Sequence, residues 1–178
     1  MSNAVYILSS LPMLQFGDVP PLSLAEFRSR CGSVLNEEEL QALDALLSGE
    51  ESDNPYVQAY QSRDNQMKNV SGKLRAQAWG PDVRFTEKPY VGYDVTFAKM
   101  VADAFNKADP LEKEQDIDKA RFWLADSLAS VDDATMGSVF AYAIKLQICE
   151  RWARLNNEAG DAAVINVINA NDPAFGQV

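Results

Sequence analysis

The sequence contains no histidine. That removes the Ser-His-Asp and Cys-His nucleophile pairs, the commonest general base, and every zinc or iron site that uses an imidazole. Cysteine is scarce as well. Cys31 and Cys149 are too few for a thiolate zinc cage. They lie far apart in stretches that read as helical, so they are expected to be buried free thiols. No apolar run approaches the roughly 18–20 residues that a membrane-spanning helix needs. The apolar opening Val5-Tyr6-Ile7-Leu8 lacks a basic flank and is stopped by Ser9, Ser10 and Pro12, so it does not read as a signal peptide. A cytoplasmic protein without direct membrane insertion is expected. Positive charge is short, with 16 Lys+Arg against 26 Asp+Glu and a net charge of −10. Such a balance argues against nucleic acid, whose phosphates select basic surfaces, and against unassisted docking to anionic membranes. The phosphate cradles Gly-x-x-x-x-Gly-Lys and Gly-x-Gly-x-x-Gly are missing, as is Gly-x-Ser-x-Gly. No cofactor is expected.

What the chain does have is helical pattern. Ser23-Leu24-Ala25-Glu26 has the form of a capping box opening a short helix that ends near Gly32, and Asn36 with Glu39 repeats the device. The second helix places Glu37, Glu38 and Glu39 at its positive end, carries Leu40, Leu43, Leu46 and Leu47 on one face, and stops at Gly49. Pro55 can start a long third helix over about residues 55–78, with an apolar stripe of Tyr56, Tyr60, Met67, Val70 and Leu74 and a weak point at Gly72. Residues 80–93 hold Gly80, Pro81, Pro89 and Gly92 and form the longest irregular stretch. Asp94 caps a fourth helix with Phe97, Val101, Ala104 and Phe105 inward, and Asp109-Pro110 starts a fifth with Ile117, Leu124 and Leu128 inward. Asp132 or Asp133 caps a sixth, over about residues 133–158. Its apolar residues Met136, Val139, Phe140, Ala143, Ile144, Ile148 and Trp152 cover much of the circumference, which makes it the centre of the bundle. Residues 162–168 make a last short helix. The segment Val5–Leu8 favours strand by propensity, but an isolated strand has no pairing partner here, so it reads as a short helix or an extended strip. The expected fold is all-α: an irregular bundle of six to seven helices with a long central C-terminal helix. One domain over 1–178 is expected, with a possible subdivision into 1–79 and 94–178 joined by the Pro/Gly loop 80–93.

Candidate chemistry is thin. Glu112, Glu114, Asp116 and Asp118 fall close together, with Lys113 and Lys119 among them, and a cation could in principle be held there. Hard cations want six to eight oxygens, and negative charge in the first turns of a helix is favoured anyway, so a solvated face is the expected reading. A carboxylate-only metal-dependent enzyme would need at least three of these or of Asp132 and Asp133 around a closed pocket. Charge order is more informative. Residues 32–62 carry seven acids and no base, residues 63–88 six bases against three acids, and residues 109–133 eight acids against three bases. Two-signed faces can orient a protein between partners. The candidate partner-binding residues are Glu37, Glu38, Glu39, Arg63 and Lys68, with Tyr90 and Tyr93 from the aromatic cluster of the loop. No catalytic or metal-binding residue is assigned.

The segment Tyr6-Ile7-Leu8-Ser9-Ser10-Leu11-Pro12-Met13-Leu14 and the later Cys149-Glu150-Arg151-Trp152-Ala153-Arg154-Leu155-Asn156, followed by Gly160, carry a family resemblance. Together with the order of an acidic second helix, a long third helix and a Pro/Gly loop, they resemble an uncharacterised bacterial family encoded alongside V/A-type rotary ATPase subunits. The resemblance implies a non-catalytic role like that of the central-stalk funnel of V-type ATPases, an all-helical component that couples the rotor shaft to the membrane ring of proteolipids in ion transport. The chain is about half the usual length of that component. Rotor subunits are then the expected partners. The competing expectation is a helical protein-interaction adaptor unrelated to the ATPase, working through the Pro/Gly loop.

Overall fold

The computed structural model describes residues 3–80, 82–129, 135–155 and 157–171, and all regular structure among them is helical. The elements are α1 (Asn3–Ser9), α2 (Leu24–Gly32), α3 (Glu37–Ser48), α4 (Pro55–Trp79), α5 (Val95–Phe105), α6 (Pro110–Leu128), α7 (Met136–Arg154) and α8 (Asn157–Asn171). The bundle expected from hydrophobic spacing is the one observed, with α1 as an additional helix. Ala4 and Ile7 of α1 are buried while Tyr6 points outward. Burial of one side at helical spacing outweighs the strand propensity of Val5–Leu8.

Local chemistry sets most of the helix starts. Asn36 accepts from the Glu39 backbone N–H at 2.8 Å, and the Glu39 carboxylate accepts from the Asn36 N–H at 3.1 Å, completing a capping box. Ser23 accepts from the Glu26 N–H at 3.1 Å. The Glu26 carboxylate turns instead to Arg30, at 2.9 Å. Asn54, Asp94 and Asp109 cap α4, α5 and α6, and Pro55 and Pro110 occupy the first helical positions, where no N–H is needed. Asp132 and Asp133, expected to cap α7, lie outside the described residues. Thr135 stands at the N-cap position of α7, and its side chain makes no capping hydrogen bond.

Helix α7 is the shared centre. It packs against α1, α2 and α3 on one side and α6 on the other, while α4, α5 and α6 pack on one another. Val139, Phe140, Ala141, Tyr142, Ala143, Ile144, Leu146, Ile148 and Cys149 are all buried along it, so nearly its whole circumference faces protein. Glu150 joins it to α2: one carboxylate oxygen accepts from the Leu24 N–H at 2.6 Å, at the positive end of that helix, and the other from Arg154 at 2.8 Å.

Beyond its second turn, α4 departs from the expected stripe. Tyr56, Val57 and Tyr60 are buried, but further along the buried residues are Gln66, Asn69 and Ser71, while Met67, Val70 and Leu74 are only half-buried. The cause is the segment 82–94, which runs along this face and needs partners for its backbone. Ser62 donates to the Val91 carbonyl at 2.9 Å and accepts from its N–H at 2.6 Å. Gln66 does the same for Asp94, at 2.7 and 3.0 Å, and Asn69 for Lys88, at 2.8 Å both ways. Three polar side chains at helical spacing thus pair both backbone groups of three loop residues, as a neighbouring strand would. Phe85 closes the contact by lying against Gly72: a Cβ at that glycine would sit 2.1 Å from the ring. Gly72 is therefore the seat of an aromatic side chain rather than a weak point.

The two cysteines are free and buried. Burial pushes the Cys31 thiol from 9.0 up to about 11, with Arg28 opposing the shift. The folded protein then holds this proton more tightly than the unfolded chain does. The stabilisation is fully present below the unfolded pKa of 9.0 and is lost as pH rises through about 11. The stability advantage of wild type over Cys31→Ala, measured by urea unfolding, should shrink between about pH 9 and about pH 11. At Gly72, alanine should destabilise by about 1–3 kcal/mol through the clash with Phe85. In a Phe85→Ala background the same change should stabilise by about 1 kcal/mol, because only helix propensity remains. A common sign in both backgrounds would refute the packing role of Gly72.

Candidate functional site

The acidic run at the start of α6 reads from sequence as a solvated face, and Asp118 departs from that expectation. It is only 1% exposed, at the junction of α6 and α7. The placement follows from the spacing of α6: Ile117, Ala120, Leu124 and Ala125 take the same side of the helix into the core, and Asp118 goes with them. A buried carboxylate needs partners, and three converge on it. Arg121 donates to one oxygen at 3.1 Å, and Arg151 and the Trp152 indole N–H donate to the other at 2.7 and 2.9 Å. Arg151 reaches Glu114 with its second nitrogen at 3.2 Å. Arg121 extends the cluster to α4 through a long contact of 3.4 Å to the Tyr60 hydroxyl. Burial works against the Arg121 charge, but Tyr60 and Asp118 more than offset it, so its pKa lies above the ordinary value. Burial likewise raises the Tyr60 pKa, with Arg121 opposing.

Such pairings take up Glu114, Asp116 and Asp118 of the acidic run, while Glu112 is exposed in the first turn of α6. Asp116 takes Lys119 at 2.8 Å and Lys107 at 3.5 Å, and the hydrogen bond from Lys119 does most to lower its pKa. Glu114 and Asp118 are occupied by guanidinium groups. Among the described residues no three acidic or cysteine side chains form a group that could hold a metal ion. Asp132 and Asp133 fall outside those residues.

The sequence-selected partner residues fall into two separate groups. Glu37, Glu38 and Glu39 share the first turn of α3, where Glu37 and Glu38 are exposed and Glu39 is half-buried in its capping box. Arg63 belongs with the loop. It donates to the Val91 carbonyl at 3.2 Å and to Gln66 at 3.3 Å, so it straps the loop to α4 rather than standing free. Tyr90 is half-buried, and Tyr93 is 58% exposed. Lys68 pairs with Asp64 along α4. None of the hydrogen bonds or ion pairs among the described residues joins the α3 acids to the second group.

Two further surfaces stand out. Val91 and Val95 flank Tyr93 with 83% and 70% exposure, making an apolar patch where the loop enters α5. Larger still is α8, a helix of 15 residues rather than the short one expected over 162–168. Every side chain described from Asp161 to Asn169 is exposed, including Val164, Ile165 and Ile168. Val164 and Ile168 are one turn apart on one side of the helix, with Ile165 next to them and Asn166 turned away. Hydrophobic spacing makes this segment visible in the sequence as a helix, but it gives no sign that the apolar side is left uncovered.

Replacing Asp118 by alanine takes the shared acceptor from Arg121, Arg151 and the Trp152 indole, leaving Arg121 with its long Tyr60 contact and Arg151 with Glu114, and should cost about 3–5 kcal/mol in urea unfolding. Exposed Asp103→Ala should stay within about 0.5 kcal/mol of wild type. Equal costs at the two positions would show that the buried cluster holds nothing together.

Residues 91–172 match a family model described as "Protein of unknown function (DUF2764)". No curated protein and no solved structure matches the chain. The matched region, less than half of the sequence, runs from the end of the loop through α5, α6, α7 and α8, so Asp118 with Arg121, Arg151 and Trp152, and the exposed helix, lie in the part similar to that family, while Tyr60 lies outside it.

Proposed function

We propose that the chain is a non-catalytic structural subunit of a bacterial V/A-type rotary ATPase that helps couple the rotor stalk to the membrane ring. The observation that carries the reading is α8. Exposed apolar surface of this extent marks a docking site in an otherwise folded protein, and valine and isoleucine give a helix little propensity of its own. A helix of this length gains most of its stability from what it packs on. It follows α7, the helix through the middle of the core, so a load applied to α8 is passed along the chain to every element that α7 touches. Its occupant is an apolar groove on a rotor subunit with a basic rim: α8 carries Glu158 and Asp161 and no Lys or Arg. The net charge of −10 disfavours a second copy as the occupant, and the missing bases disfavour an anionic membrane surface. The resemblance of the N-terminal and α7 segments to a family encoded with rotary ATPases supplies the identity of the assembly. No helix among the described residues is long and apolar enough to cross a membrane, so attachment to the ring would run through protein contacts.

The exposed Val91, Tyr93 and Val95 patch favours a second reading, an adaptor that holds a protein partner outside the ATPase through the loop. Co-expression with the rotor-stalk subunits of the same source organism separates the two. The chain should co-purify with them, and Val164→Asp with Ile168→Asp should weaken that association at least about tenfold without altering the circular dichroism spectrum. Reversing Glu37 and Glu38 to lysine, with Glu39 kept for its capping role, should weaken assembly by a smaller factor that shrinks as salt rises. Failure of the wild-type chain to co-purify would overturn the ATPase reading.

A further inference from the structure

We infer that the cleft between α4 and α6, roofed by Phe85, is a seat for a small anionic group, a carboxylate or a phosphate. The cleft holds about 330 Å³ and is lined by Lys68 and Arg75 of α4, Arg121 of α6, Arg151 of α7, and the apolar Met67 and Ile117. In a chain of net charge −10, its walls reverse the sign of the surroundings. Its acids are already committed: Asp118 to Arg121, Arg151 and Trp152, Glu114 to Arg151, and the neighbouring Asp64 to Lys68. Two donors are left over. The Arg121 Nε is buried and has no hydrogen-bond acceptor among the described residues. The Arg75 guanidinium lies 5.6 Å from the centre of the Phe105 ring and makes no ion pair among the described residues.

A buried N–H without an acceptor is costly, and an anion is the acceptor that repays it best, through a charge-assisted hydrogen bond. A guanidinium held by its two terminal nitrogens to Asp118 and Tyr60 still presents its Nε edge in a fixed direction, which suits the planar or tetrahedral oxygens of a carboxylate or phosphate. Arg75 supplies the second charge on the opposite wall. Met67, Ile117 and Phe85 add apolar surface, so the anionic group would be carried on a compact body rather than an extended one. Gly72 keeps the cleft open on the α4 side, because a side chain there would push Phe85 aside. This seat is independent of α8 and of the ATPase reading.

The test titrates the full-length chain with inorganic phosphate and, separately, with succinate at constant ionic strength, following the Arg Nε–H resonances and the heat of binding. Saturable binding with Kd on the order of 1 mM or tighter, a shift of the Arg121 Nε–H signal, and about tenfold weaker binding in Arg75→Gln are expected. Lys99→Gln, an exposed cation on α5, should bind as wild type does. Tighter binding of phosphate would assign the seat to phosphorylated ligands, and tighter binding of succinate to carboxylates. Arg121→Lys keeps the charge but loses the Nε edge and should also bind about tenfold more weakly. The inference is overturned if neither anion moves the Arg121 signal, or if Lys99→Gln weakens binding as much as Arg75→Gln, which would mean non-specific screening.

Discussion

A carboxylate taken out of water at the α6–α7 junction is the constraint on which the core organisation turns. Asp118 needs donors in that position, and they come from its own helix and from α7, with Arg121 reaching on to Tyr60 of α4. Hydrophobic burial is non-directional and would tolerate some sliding or rotation of α6 against α7. Three hydrogen bonds of fixed geometry do not. The indole of Trp152 and the guanidinium of Arg151 are adjacent in sequence and reach the same oxygen, so the last turns of α7 have one angular setting relative to α6.

The helices themselves were legible in the sequence because their signals are local. A cap, its acceptor and the amide it serves lie within four residues of one another, and Asn36, Asn54 with Pro55, Asp94, and Asp109 with Pro110 all behave as that chemistry requires. The central position of α7 was legible for a related reason: an all-round apolar helix has only one kind of place to go. What escaped the sequence was decided by distant partners. Asp118 looks like any acid in a mixed helix until Arg151 and Trp152 arrive from α7. Gln66 and Asn69 look like solvent-facing residues until the backbone of residues 88–94 lies across them. Gly72 reads as a helix defect unless Phe85 is known to rest there. The candidate acids on α3 and the candidate residues at the loop were each placed correctly along the chain, yet no pattern in the sequence could show that they belong to separate surfaces.

Rigidity and exposure are divided between different parts of this molecule. The buried Asp118 is tied to two guanidinium groups and an indole, and both thiols lie in the interior. The side chains left to solvent on α8 and around Tyr93 are mostly apolar or amide-bearing. The proposed coupling role would need this division, since a coupler must resist deformation inside while offering surfaces outside. The cationic cleft at Phe85 sits between the two regimes, with its floor built from the same Asp118 cluster that sets the angle of α7.

The way α4 holds the segment after it has its own consequence. Ser62, Gln66 and Asn69 grip main-chain groups and ignore what the loop residues carry on their Cβ atoms. Course and content are thereby uncoupled: substitutions at Thr86, Val91 or Tyr93 can change the face offered to the outside while the path of the chain stays where it is. A strip mounted in this manner is free to diversify, and a lineage could refit it to new contacts without rebuilding the helices beneath.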